Sequence, residues 1–189
     1  MLRAAFVIAA RERLAGVTAR AVAAKAGVSS GLVFFHFESV DGLLVDLLDW
    51  LLERTIVAGE LGADAFGDLP PAARMMAAVR RDVERLPGTR ERVELFFDYW
   101  VLGTRHPLVK RKIRAALDRY RDSFRPLAAA MIAADPERYV GTTAEGLASV
   151  AASFVEGCAL QVVMDPRGFD TERSMATLAA LVHAGAAAY

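Results

Sequence analysis

The 189-residue sequence predicts an all-α protein of about nine helices, with a short N-terminal three-helix head and a larger C-terminal helical part. Three observations carry this. Alanine, the strongest helix former, occurs 36 times. Apolar residues recur at three- and four-residue spacing in one segment after another. Strand-type alternation is almost absent, Leu160-Gln161-Val162-Val163-Met164 being the one short candidate. Hydrophobic residues make up 54% and charged residues 24%, which supports a substantial core and argues against wholesale disorder.

The elements follow in order. The first helix is expected over Leu2–Arg13. The second runs from Thr18 to Lys25 and stops at Ala26-Gly27, a left-handed cap. The third starts at Ser29, a good N-cap, and carries Leu32, Val33, Phe34, Phe35 and Phe37. The fourth starts at Ser39, with Asp41 where the helix dipole favours an anion and Leu43, Leu44, Leu47, Leu48 and Leu51 at helical spacing. Gly59 to Pro71 is rich in Gly, Asp and Pro and reads as the break between head and remainder. The fifth helix opens at Pro70-Pro71 and ends near Leu86-Pro87-Gly88. The sixth covers Arg90–Arg105, with Val93, Phe96, Phe97, Trp100 and Val101 on one face. The seventh follows His106-Pro107, with Val109, Ile113, Leu117, Tyr120, Phe124 and Leu127 as its apolar face. Thr142-Thr143-Ala144-Glu145 reads as a capping box in which Thr142 and Glu145 satisfy each other's backbone N–H groups. It opens an eighth helix over Thr143–Met164. Asp165-Pro166-Arg167-Gly168 ends it, and a ninth runs over Thr171–Ala187. The last two are small and apolar nearly all round, so a second copy of the chain is expected to cover them.

Lys+Arg and Asp+Glu are both 23, giving zero net charge and a pI near 6.8. That excludes a uniformly basic protein and leaves room for a basic patch. A lone cysteine, Cys158, excludes an internal disulfide and fits a reducing compartment. No uncharged apolar run reaches the roughly 18 residues of a membrane span. The N-terminus lacks the basic, apolar and cleavage regions of a secretory signal. A soluble, cytoplasmic protein with no membrane contact is expected.

The informative stretch is Thr18 to Phe37, two short helices joined by a tight turn at Gly27. That is helix-turn-helix spacing, in which the second helix enters the DNA major groove and the first crosses the backbone. Gly27 supplies the turn and Ser29, Ser30 and Gly31 a small tip. Val22, Ala23, Val28, Val33 and Phe37 supply the inner face.

These residues resemble the tetracycline-repressor (TetR) family of transcription regulators. The likeness lies in Thr18, the apolar-Ala pair Val22-Ala23, Ala26-Gly27-Val28-Ser29, Val33-Phe34-Phe35-His36-Phe37, Ser39 and Leu43-Leu44, about a quarter of the chain. It implies DNA-binding roles for Thr18, Arg20, Lys25, Ser29, Ser30, Gly31, Leu32, Phe34, Phe35 and His36. Thr18 would cap the second helix and touch a phosphate, and Arg20 would reach a base edge. Ser30, Gly31, Leu32 and Phe35 would face bases, His36 a phosphate, and Lys25 the backbone. Four departures stand out. Phe34 replaces the family's tyrosine and its hydroxyl. Val40 replaces the lysine after the serine. The basic arm before the first helix is nearly absent, or the chain's true start lies upstream, and Arg13 sits where glycine is common. From Met1 to Val45 there are five Lys/Arg and three Asp/Glu, a net of +2. A weak or low-salt DNA binder is therefore expected.

The resemblance implies domains over 1–45 (DNA binding) and 46–189 (effector binding and dimerisation). It also implies a cavity among the fifth to eighth helices for a small, often apolar effector. Phe96, Phe97, Tyr99 and Trp100, with Met75, Met76, Met131 and Phe154, are its candidate lining. A homodimer through the eighth and ninth helices would set two recognition helices over a palindromic operator.

Other features point to structural roles. Gly27-Val28-Ser29-Ser30-Gly31 matches G-x-S-x-G, but a hydrolase elbow needs a preceding strand and a helix is expected there. His36, His106 and His183 are far apart, so surface or capping roles are expected, with no metal site and no cofactor. Cys158 reads as a buried apolar side chain. Lys110, Arg111, Lys112, Arg114, Arg119, Arg121 and Arg125 read as a solvated helix face. The leading expectation is thus a non-enzymatic, ligand-responsive DNA-binding repressor. The alternative is a helical small-molecule-binding or enzymatic bundle with a vestigial DNA-binding head.

Overall fold

A computed structural model describes residues 1–55 and 66–184, the last two as backbone only. The described residues form nine α-helices and no strand. They are α1 (Leu2–Glu12), α2 (Ala19–Ala26), α3 (Ser30–Phe37), α4 (Val40–Thr55), α5 (Pro71–Arg85), α6 (Arg90–Gly103), α7 (Pro107–Ala134), α8 (Ala144–Met164) and α9 (Thr171–Ala184). Single 3-10 turns, Leu14–Gly16 and Pro87–Thr89, precede α2 and α6. The short strand candidate Leu160–Met164 is the last turn of α8. The expected break at Gly59–Pro71 lies outside the described residues up to position 65, as does the end of the ninth helix beyond 184.

The chain divides into two compact units, Met1–Ile56 with Thr89–Ala116, and Val57–Gly88 with Leu117–Tyr189. α7 contributes to both.

In the first unit, Ala5, Ile8 and Ala9 of α1, Val22 and Ala23 of α2, Val33 of α3 and Leu43, Leu47, Leu48 and Leu51 of α4 are buried together with Val93, Leu95, Phe96 and Tyr99 of α6. α4 and α6 run antiparallel. The Tyr99 hydroxyl donates to the Leu44 carbonyl at 2.7 Å, and Arg92 donates to the Arg54 carbonyl at 3.0 Å. Phe6 meets Trp50 at 5.3 Å between ring centroids, and the Arg54 guanidinium lies 4.3 Å over the Trp50 ring. The buried face of α6 differs from the expected one. Leu95 and Tyr99 are inside, whereas Trp100 is 45% and Val101 68% exposed. α6 packs against both α1 and α4, so its inner face is wider than one stripe.

In the second unit, α5 packs against α8 and α9. Met75, Val79 and Val83 of α5, Phe124, Leu127 and Met131 of α7, Ala148, Ala152, Val155 and Cys158 of α8 and Met175 of α9 are buried. Cys158 matches the expected buried apolar side chain, and burial pushes its thiol pKa up. Tyr120 meets Phe124 edge-on at 5.2 Å and donates to Asp82 at 2.9 Å, while Arg81 holds the other oxygen of that carboxylate. Arg80 of α5 grips Glu172 of α9 through both carboxylate oxygens, at 3.0 and 2.8 Å.

The capping box is not the one expected. Thr143 is the N-cap, its side chain accepting from Gly146 N–H at 3.0 Å. Thr142 instead donates to the Tyr139 carbonyl at 2.7 Å, and Glu145 faces Arg125 at 3.6 Å. The Thr142 N–H donates to the same carbonyl at 3.0 Å, so Thr142 belongs to the turn at Gly141 (φ +78°) and the cap falls one residue later.

α8 meets a looser test for a membrane span than an uncharged run. Its 21 residues are long and apolar enough to cross a membrane by length and composition. Glu145 and Glu156 interrupt the uncharged run, so counting uncharged residues passes it over. Ala148, Ala151, Ala152, Val155, Cys158 and Val162 bury one side of the helix inside the protein. Val150, Ser153, Gly157, Leu160 and Met164, at three- and four-residue steps, form an exposed stripe of small and apolar side chains.

Candidate nucleic-acid interface

The head is built from local hydrogen bonds. Thr18 has extended backbone, and its hydroxyl oxygen accepts from Ala21 N–H at 3.1 Å, which starts α2. Gly27 ends α2 with φ +69°, ψ 33°, the left-handed conformation that favours glycine. The Ala23 carbonyl accepts from the N–H groups of both Gly27 and Val28. Two residues later Ser29 caps α3, accepting from Leu32 N–H at 3.2 Å. Ser39 caps α4, accepting from Gly42 N–H at 2.9 Å. Gly42 lies directly against the Phe37 carbonyl, where no Cβ fits. The chain therefore turns sharply on both sides of α3 and presents it as a short rod.

Burial divides that rod cleanly. Val33 is buried on Val22 and Ala23 of the inner face, while Val28 and Phe37 are half-buried. Gly31, Leu32, Phe34, Phe35 and His36 are exposed, and Ser30 is half-buried at the tip. Phe35 reaches 80% exposure, the highest among the large apolar side chains of the described residues. Its ring stands edge-on to His36 at 5.6 Å. On α2, Arg20 and Lys25 are exposed. Thr18, Arg20, Lys25, Ser29, Gly31, Leu32, Phe34, Phe35 and His36 are thus all solvent-facing on one small head.

The electrostatics are sparse. Arg3, Arg11, Arg20 and Lys25 are exposed and have no ion-pair partner among the described residues. The fifth head cation, Arg13, is held by Asp98 of α6 at 2.8 Å, with Glu94 at 4.0 Å. Sequence reasoning missed Glu38, an exposed carboxylate at the end of α3 in a φ of +59°. A glycine or asparagine would have signalled that left-handed position, and glutamate does not. It also missed the Arg13–Asp98 pair, for which no local signal exists.

Elsewhere, the sequence N-terminal to Ser29 is helix α2, so the G-x-S-x-G match lacks the strand an elbow requires. His106 sits before α7, its Nδ1 accepting from Val109 N–H at 3.4 Å, and the His183 side chain is outside the described residues. On α7, Lys112 pairs with Asp49 at 2.6 Å, Arg121 with Asp118 and Arg125 with Asp122, whereas Lys110, Arg111, Arg114 and Arg119 are exposed.

The eight candidate effector residues fall into two groups, one in each unit. In the first, Phe96 is 6.1 Å from both Phe97 and Trp100 between ring centroids, and Tyr99 is fully buried. Burial pushes the Tyr99 pKa above its ordinary 10.0, and the Asp98 charge adds to that. In the second, Met75 and Met131 are buried and Met76 and Phe154 half-buried.

Several known proteins share this architecture. A transcription regulator of the TetR type from Haloarcula marismortui is 17% identical, with a TM-score of 0.79, over 97% of this chain and 95% of that one. A protein from Saccharomonospora viridis, described as a transcriptional regulator and bound to choline, is 19% identical with a TM-score of 0.74, over 96% and 93% of the two chains. A transcriptional regulator from Rhodococcus sp. Rha1 is 23% identical with a TM-score of 0.72, over 100% and 97%. No curated protein matches the chain. The family model for the C-terminal part of BetI-type transcriptional repressors matches residues 71–187. That for bacterial regulatory proteins of the tetR family matches residues 1–47. An N-terminal helix-turn-helix head, a helical remainder and a family match over more than half its length together place one conclusion beyond the fold: the chain belongs to the TetR family of transcriptional regulators.

Proposed function

We propose that this regulator is a homodimeric repressor that a small effector with apolar surface releases from a palindromic operator. The observation that carries the reading is the division of α3. Val33 anchors it and every neighbour on the outer side is solvent-facing, so an eight-residue rod is held ready for a major groove. The domain division follows, with 1–45 binding DNA and 46–189 binding effector and partner.

The dimer half of the proposal is supported by the exposed stripe Val150, Ser153, Gly157, Leu160 and Met164 on α8, with Leu181 of α9 69% exposed. Small and apolar side chains at this spacing suit helix-on-helix packing. A two-fold through α8 and α9 would set two α3 helices about 34–36 Å apart, or somewhat more.

The effector half has two separate candidate linings, the aromatic group Phe96, Phe97 and Trp100 within the first unit, and Met75, Met76, Met131 and Phe154 within the second, whose thioethers and ring accept varied apolar shapes. A protein of this fold that carries choline supports a small molecule as the signal. Effector would act by binding two states of the dimer with different affinity.

The test is a gel shift with the DNA flanking the protein's own gene. Retardation is expected, lost in Arg20→Ala and His36→Ala. Absence of retardation even at low salt would leave a ligand-binding bundle with an idle head.

A further inference from the structure

We propose that α3 reads its operator chiefly through thymine 5-methyl groups, with Phe35 and Leu32 as the specificity-determining side chains. This rests on the DNA-binding reading above.

The argument starts from what α3 can offer a base edge. Its eight residues are Ser30-Gly31-Leu32-Val33-Phe34-Phe35-His36-Phe37. None is Arg, Lys, Asn, Gln, Asp or Glu. The bidentate pairings that identify guanine and adenine are therefore unavailable from this helix, as is acceptance from cytosine N4. Ser30 and His36 are its only side chains that hydrogen-bond. Beyond a single hydrogen bond from either of these, what remains in the major-groove code is apolar contact with the methyl at thymine C5.

The exposed surface has that character. Leu32 is 40%, Phe34 48% and Phe35 80% exposed. Leu32 and Phe35 are three residues apart and share a face. Phe34 carries no hydroxyl, so it cannot donate to a phosphate and adds apolar area instead. On α2, Arg20 and Lys25 are both exposed and suited to guanine; with Lys25 assigned to the phosphate backbone, one Arg–guanine contact flanked by methyl contacts is the expected pattern. Such contacts release no counterions, which makes them suited to a head with few free cations.

The experiment uses the full-length protein. A duplex is first selected from a random library, and each of its thymines is then replaced in turn by deoxyuridine, which removes only the methyl. Binding is read by fluorescence anisotropy. Loss of roughly three- to fivefold per contacted methyl is expected at one or more thymines of each half-site. Phe35→Ala should weaken the parent duplex and abolish that sensitivity, while Phe35→Leu retains part of it. Because Phe35 is so exposed, both variants should melt as wild type does. If the protein binds the selected duplex and no deoxyuridine substitution matters, the methyl inference is overturned and the DNA-binding reading stands. If Phe35→Ala leaves DNA affinity intact but changes self-association, the apolar face belongs to a protein contact and the inference is overturned. If no duplex is selected at all, the DNA-binding reading falls and takes the inference with it.

Discussion

The guanidinium of Arg13, at the end of α1, lies 2.8 Å from the carboxylate of Asp98 on α6. The residue making this link has φ +62° and ψ −177°, a region that essentially only glycine occupies without strain. Strain of about 1–3 kcal/mol is therefore set against an ion pair of about 0.2–1 kcal/mol, since the Arg13 side chain is more than half exposed. Arg13→Ala breaks the pair and keeps the strain, so it should lower the thermal midpoint. Arg13→Gly removes both at an added entropic cost of about 0.5–1 kcal/mol and should match or exceed wild type. Scanning calorimetry of the two variants checks the order.

Gly42 and Gly27 fail for different reasons. A methyl at Gly42 meets the Phe37 carbonyl, a backbone atom that cannot swing aside. Gly42→Ala should cost about 1–3 kcal/mol and displace the end of α3. At Gly27 there is open space, and the cost of about 1–2 kcal/mol comes from its φ of +69° alone. Gly27→Asn should therefore recover much of the loss seen in Gly27→Ala, whereas Gly42→Asn should not. Urea midpoints distinguish them.

Tyr99 and Tyr120 set the alkaline limit. Burial raises both pKa values above the ordinary 10.0, with Asp98 beside Tyr99 and Asp82 beside Tyr120 adding to it. A raised folded pKa favours the neutral phenol in the fold. The associated stability is whole below pH 10 and is lost as pH climbs past it towards the folded values. Stability should fall by up to about 1.4 kcal/mol per pH unit for each tyrosine. Tyr99→Phe should flatten that decline while costing about 1 kcal/mol at neutral pH through the lost bond to the Leu44 carbonyl. Urea titrations across the alkaline range measure both effects.

Val40 follows the Ser39 cap of α4, where the family resemblance implies a phosphate-binding lysine. Val40→Lys should tighten operator binding and steepen its log–log salt dependence by about 0.9 per added phosphate contact. In wild type the slope of the dimer should stay below ~8, because each head has four cations without an ion-pair partner among the described residues and Arg13 is tied to Asp98.

The features readable in the sequence were those set within four residues. Thr18, Gly27 and Ser29 announce their caps because the side chain and the N–H or carbonyl it serves lie in the same turn. Those that joined distant segments were not. Tyr99 meets the Leu44 carbonyl across 55 residues and Arg13 meets Asp98 across 85, and no local pattern encodes either. Adjacent threonines at 142 and 143 left the register of α8 open by one residue, which the turn at Gly141 decides. The buried face of α6 departs from the single stripe its spacing predicts because α6 packs against both α1 and α4, with Tyr99 buried and Val101 outside. The candidate DNA-binding residues come from the resemblance alone; the fold adds that all of them but Ser30 are exposed, which the burial of Val33 on the inner face explains.

Hydroxyl-radical footprinting of the full-length protein on its selected operator tests the central claim most directly. The account predicts two protected patches related by a two-fold, their centres about one helical turn or somewhat more apart, both lost in Arg20→Ala. A single patch, or two that survive Arg20→Ala, would contradict it.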